Sequence, residues 1–198
     1  MSTFIETLKN RRSIYQIGKN VTLTNEEVET LIKEAVKESP SAFNSQSSRA
    51  VILFGESSQK VWDIVLGELE PLTPPDAFEA TKEKIASFAA GHGTILFYED
   101  QAVVQHLQEQ FALYKDNFPI WSEQSTGIAQ HSVWVALSEA GMGATIQHYN
   151  PLIDEKVAEL FEIPETWKLT GQMPFGSKEA EAAPKEYMAD TDRFKTFA

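Results

Sequence analysis

The sequence predicts an α+β fold of about four strands separated by five or six helices. Three observations carry that expectation. Short apolar runs rich in β-branched residues stand at 50–54 (AVILF), 93–99 (GTILFYE) and 167–176 (WKLTGQMPFG). The segments between them space their apolar residues three and four apart, the helical period. No internal repeat or low-complexity tract interrupts the pattern. With 198 residues, 42% of them hydrophobic, the chain suits a single domain spanning 1–198 with a real core.

Residues 3–10 form a short first helix with Phe4, Ile5 and Leu8 on one face. A second covers 25–38. Thr24 is its N-cap and Glu27 completes a capping box; Val28, Leu31, Ile32, Ala35 and Val36 form its core stripe, and Pro40 enforces its end. The strand at 50–54 leads to a helix over 57–69 opened by Ser57 or Ser58. The break PLTPP (71–75) is followed by a helix at 76–90 and the strand at 93–99. Residues 100–117 read as helical until Pro119 interrupts them, and 122–140 is the longest helix, rich in small residues. GMGATIQHY (141–149) is a glycine stop followed by a short strand; 153–163 is a short helix; 167–176 is the last strand. The charged, proline-interrupted stretch 177–198 suits an arm lying on another surface.

Composition excludes several functions. A net charge of −12, from 17 basic and 29 acidic side chains, repels phosphates over most of the surface and argues against nucleic-acid binding. Any anionic ligand then needs local basic groups. Without cysteine there is no disulfide, thiolate catalysis or cysteine-ligated metal, which fits a reducing, cytoplasmic setting. His92, His106, His131 and His148 show no metal-ligand spacing, so no metal is expected. Met1–Arg12 lacks the apolar core of a signal peptide, and no run approaches the roughly 20 apolar residues of a membrane span.

Three polar clusters remain. In NRRSIYQIG (10–18), Arg11, Arg12 and Ser13 offer planar guanidinium donors and a hydroxyl to a phosphate; equally, an arginine pair at a helix end favours the helix dipole. In SPSAFNSQSSR (39–49), Asn44 and Gln46 stand two apart and, in an extended segment, point the same way toward one polar ligand edge; a plain surface loop is the alternative. In GATIQHYNP (143–151), Gln147, His148, Tyr149 and Asn150 end a strand, where α/β proteins often bind ligands; His148 alone reads as an ordinary hydrogen-bonded histidine or as a catalyst. No dinucleotide fingerprint, phosphate loop, zinc motif or nucleophile elbow is present, so any chemistry belongs to a bound cofactor.

Together these clusters resemble the nitroreductase family of flavoproteins. Arg11-Arg12-Ser13 follows a short first helix, PSAFNSQ (40–46) is similar to the family's Pro-Ser-x-x-Asn-x-Gln segment, and MPFG (173–176) with Lys185 fits its last strand and basic tail. SIYQIG and FNSQSSR resemble a small subgroup of bacteria and yeast described as fatty-acid-repression-mutant-like. The resemblance implies a central, mostly antiparallel sheet of about four to five strands flanked by helices, and an intertwined homodimer with a C-terminal arm. It implies FMN, with NADH or NADPH as reductant and a small aromatic nitro or quinone acceptor. Carried onto this chain, Arg11 and Ser13, with Arg12 alongside, hold the FMN phosphate. Pro40, Ser41, Ala42, Asn44 and Gln46 come from the partner subunit, Gln147 and His148 lie over the ring with a backbone N–H toward its N5, and Lys185 or Lys178 adds a basic contact.

The chain departs from the family in three places. Tyr15 stands where a basic residue is common, beside the flavin's pyrimidine side, which bears on redox potential. Gln46-Ser47-Ser48 replaces Gln-Pro-Trp, leaving Ser47, Ser48 and Arg49 unexplained. Residues 100–121 are read as the family's substrate-pocket insertion, where Phe111, Tyr114, Phe118 and Trp121 either wall an aromatic pocket or pack core and dimer. A flavin-binding regulator or sensor with little turnover, and a non-flavin interaction protein, are the alternatives to an enzyme.

Overall fold

The structure, a computed structural model, describes residues 3–198; Met1 and Ser2, which open the stretch read for a signal peptide, lie outside the described residues. Its centre is β3 (Gly93–Asp100), which pairs antiparallel with β2 (Ser48–Phe54) on one side and with the long β5 (Trp167–Lys178) on the other. Beyond β3, β5 pairs antiparallel with β1 (Ile17–Gly18) and β4 (Gly143–Ala144), giving a five-stranded sheet.

Both faces of the sheet are covered, which is why β3 reads as an unbroken apolar run rather than an alternating one. Side chains alternate across the pleat. Leu96 and Tyr98 join one cluster with Val61, Trp62 and Val65 of α3 (Gly55–Leu69), Ile85 and Phe88 of α4 (Phe78–Ala89) and Val157 of α7 (Asp154–Leu160). Ile95 and Phe97 join the other with Val28 and Ile32 of α2 (Asn25–Lys37) and Val133 and Leu137 of α6 (Phe118–Glu139). The α2 capping box forms as its sequence requires: Glu27 N–H donates to Thr24 Oγ1 (3.2 Å) and Thr24 N–H to Glu27 Oε2 (2.8 Å).

Four element readings need correction. The helix expected over 100–117 stops as α5 (Gln101–Gln110), followed by a 3-10 turn at Ala112–Tyr114. Pro119 opens α6 instead of interrupting a helix, because its missing N–H costs nothing in a first turn. Helix α3 starts at Gly55, ahead of Ser57 and Ser58; Ser58 is buried, its hydroxyl bonded to Thr94 (2.7 Å), whose Oγ1 also accepts from Trp62 Nε1 (2.9 Å). The strand sought in 141–149 shrinks to β4 and one bridge between Gln147 and Gln172. Strand β1 had no signal, being two residues long. The tail after β5 is mostly exposed and irregular apart from α8 (Asp190–Arg193), and α1 (Thr3–Asn10) packs against α6.

Candidate functional site

Arg11–Ile14 leaves α1 and is tethered beside β4: Ile14 N–H donates to Ala144 O (3.0 Å), and Ser13 bridges Ala144. This anchoring lays the Arg11 guanidinium over the Trp134 ring of α6, 4.2 Å from its centroid. Arg11 Nε is buried without a hydrogen-bond partner. Among the described residues neither Arg11 nor Arg12 meets a carboxylate in an ion pair. Burial first, and the charge of Arg12 second, push the Arg11 pKa down. The tail folds back over the pair: Arg12 Nη2 donates to Ala183 O (2.6 Å) and Glu179 N–H to Gln16 O (3.0 Å). A cavity of about 470 Å³ results, walled by Arg11, Arg12, Ser13, Tyr15, Glu181 and Lys185. Of the two candidate lysines, Lys185 lines this cavity and Lys178 does not.

The segment 147–150, past β4, is held by β5. Gln147 and Gln172 exchange both backbone bonds (2.7 and 2.9 Å), so the next N–H, that of His148, points away from the ladder. Among the described residues nothing accepts from it. The Gln147 side chain donates to Thr145 Oγ1 (3.1 Å), and the buried Gln172 carboxamide accepts from Tyr149 N–H (2.7 Å). His148 itself is exposed at the rim of a second cavity, about 360 Å³, with Asn150, Lys168, Thr170 and Gln130. Gln130 was missed from the sequence. The signal was there: Thr126, Gln130, Val133 and Leu137 recur at core spacing on α6, and an amide in that stripe needs a reason.

The loop at 40–46 is not extended, which corrects the expectation that Asn44 and Gln46 point the same way. Ala42–Asn44 is a 3-10 turn, and Phe43 (φ 58°), Asn44 (49°) and Gln46 (49°) all adopt left-handed backbone. Such strain in a phenylalanine persists only where packing fixes it. Here the Phe43 ring sits 4.9 Å from Phe111, 5.3 Å from Phe118 and near-parallel to Trp121 at 6.0 Å. Ser41 Oγ accepts from Gln46 N–H (2.9 Å). Pro40, Ser41 and Gln46 border a third cavity of about 220 Å³; Ala42 and the exposed Asn44 do not. This loop and the arginine cavity share no lining residue within one chain.

Ser47, Ser48 and Arg49 now have an explanation. Arg49 donates to Gln46 O (2.5 Å) and pairs with Asp100 (3.0 Å). Ser47 and Ser48 donate to the fully buried Glu99, Ser47 at 2.5 Å, joined by Ser122 (2.7 Å) and Thr126 from α6. The departure from Gln-Pro-Trp is thus a hydroxyl clasp fastening the loop to β3 and α6.

Comparison with known proteins adds the following. The model of the Nitroreductase family matches residues 8–177. HBN1 of Saccharomyces cerevisiae is 35% identical over 190 residues, 95% of this chain and 94% of that protein. The nitroreductase CinD from Lactococcus lactis, solved in complex with nicotinic acid, is 56% identical with a TM-score of 0.93, covering 99% of this chain and 100% of that one. A nitroreductase with bound FMN from Desulfitobacterium hafniense shares the fold at 15% identity and a TM-score of 0.74, over the full length of both chains.

Proposed function

The chain belongs to the nitroreductase family, and from that premise we propose that it is an FMN-dependent oxidoreductase, using NADH or NADPH to reduce nitroaromatic or quinone acceptors by a ping-pong cycle. The observation that carries the reading is Arg11: a half-buried guanidinium whose buried Nε has no partner and which makes no ion pair among the described residues, at a cavity shared with Arg12, Ser13, Glu181 and Lys185. A chain of charge −12 that keeps its arginines unpaired there is suited to a dianionic phosphate, which offers charge-assisted bonds to that donor set.

The residues fit FMN. Arg11, Arg12, Ser13 and Lys185 would hold the phosphate, and the outward N–H of His148 would meet the ring. Bound FMN would supply hydride transfer between a nicotinamide and the acceptor. The protein's share is to orient and to exclude water, which is why no acid, base or nucleophile is needed near the ring. The 40–46 loop would complete the site from a second copy, since within one chain it stands apart from the arginine cavity. The nicotinic acid bound by CinD supports a slot for a pyridine ring, and the chloramphenicol and 4-nitrophenol of its other complexes support an aromatic nitro acceptor.

Tyr15 favours a second reading, a flavin-binding sensor with little turnover, because no cation stands at that position to favour the reduced ring. The test is a flavin absorbance spectrum of the purified protein with FMN added, followed by rapid mixing with NADH or NADPH. Bleaching, then reoxidation by a quinone or nitro compound, supports the enzyme. Bound FMN without bleaching supports the sensor, and no FMN binding ends both.

A further inference from the structure

Helix α6 connects the two ends of the proposed site. At Trp134 it supports Arg11; at Gly127 and Gln130 it walls the cavity that His148 borders. Seven residues separate Trp134 from Gly127, about 10 Å of helix at 1.5 Å per residue. Each end carries a buried donor without a partner: Arg11 Nε at one, Gln130 Nε2 at the other.

Gln130 is only 7% exposed, and an amide N–H so buried is costly unless it is bonded. Among the described residues none of its polar neighbours accepts from Nε2; their own bonds run elsewhere. Thr170 Oγ1 donates to Phe97 O (3.0 Å), Thr126 donates to Glu99, and the Gln147 side chain bonds Thr145 (3.1 Å). The amide lies against Gly171, where a Cβ would come within 2.9 Å of Nε2. Any larger residue at 171 would therefore displace it. The His148 backbone N–H is a second unspent donor among the residues that line this cavity.

We propose that Gln130 is a further cofactor-binding residue: its Nε2 and the His148 N–H together grip the polar edge of the flavin ring. Two donors on one cavity call for two acceptors on one ligand edge, and a ring nitrogen beside a carbonyl oxygen is what the flavin offers. The inference rests on the FMN reading above and adds the contact that orients the ring.

The experiment compares wild type with Gln130→Met and Gln130→Glu, each stripped of flavin, then titrated with FMN and melted without it. Methionine keeps the shape, removes the orphaned donor and leaves apo stability unchanged or higher, while FMN binds about three- to tenfold more weakly, the range of one neutral hydrogen bond. Glutamate offers acceptors where the ring needs a donor, so it weakens FMN binding at neutral pH at least as much. Wild-type FMN affinity in both variants overturns the inference, as does a Gln130→Met protein whose apo melting point falls while its FMN affinity holds, the mark of a structural amide. A wild-type protein that binds no FMN overturns the preceding reading and this one with it.

Discussion

Glu99 is drawn out of water entirely and Arg11 in part, and the fold provides for them in opposite ways. The Glu99 carboxyl group is fully buried and accepts from four hydroxyls, those of Ser47, Ser48, Ser122 and Thr126. The Arg11 guanidinium has an orphaned Nε, a second arginine for a neighbour and, among the described residues, no ion pair with a carboxylate. A buried polar group is normally satisfied from within the protein. Saturation at Glu99 therefore marks an internal fastening, whereas the unsatisfied donor at Arg11 is what the proposed phosphate would meet. The same contrast separates the loop at 40–48, pinned to β3 and α6, from the cavities of Arg11 and Gln130, each with an unspent donor.

The sharpest way to break the contrast is Glu99→Ala. It deletes the shared acceptor and leaves buried hydroxyls without one, so stability should fall by about 3–4 kcal/mol, lowering the melting temperature by roughly 10 °C. A loss under about 1 kcal/mol in denaturant melts would show that the clasp holds nothing. Arg11→Met should do the reverse. The stack on Trp134 is kept in part by the new side chain and a desolvated charge is removed, so apo stability should stay within about 1 kcal/mol of wild type. FMN affinity should fall roughly ten- to a hundredfold, the scale of a charged hydrogen bond. Unaltered affinity in a fluorescence titration would take the phosphate away from Arg11.

Ser47→Ala sharpens the first half. It removes one donor of four and should cost about 1 kcal/mol, much less than Glu99→Ala, because the carboxyl group keeps three partners. If the single hydroxyl costs as much as the whole carboxyl group, the four bonds do not act as a set.

The fold was legible because its signals are local. Val28, Ile32 and the Thr24–Glu27 box define α2 within fourteen residues, and the apolar run at 93–99 marks a strand covered on both faces. The arginine cluster was legible too, since two adjacent arginines and a serine advertise themselves in an acidic chain. What failed depended on distant partners. The left-handed turn at Phe43 is held by aromatic rings about 70 residues away, which no propensity of AFN encodes. Glu99 reads as the polar end of a strand until two segments, 47–48 and α6, bring it hydroxyls. Gln130 was visible as an amide in an apolar stripe, but its importance lies in the missing partner, and only coordinates show that.

The smallest expected effect tests whether Arg11 is as uncompensated as its surroundings suggest. His131 lies on the same flank of α6, and its pKa is pushed below 6.5 by burial first and by the Arg11 charge second. Glu38 and Glu139 border the same cavity of about 280 Å³, yet the downward push prevails. A histidine with a depressed folded pKa binds fewer protons folded than unfolded, so its contribution is complete above pH 6.5 and is lost as pH falls through the lowered value. His131 is largely exposed, and solvent screening keeps the effect below about 1 kcal/mol. Melts of the flavin-free protein between pH 7.5 and 5 should therefore show wild type losing slightly more stability than His131→Gln. A bound phosphate group on Arg11 would cancel the field that depresses His131, so the difference should narrow when FMN is added. Equal slopes with and without FMN would mean that Arg11 already has its counter-charge.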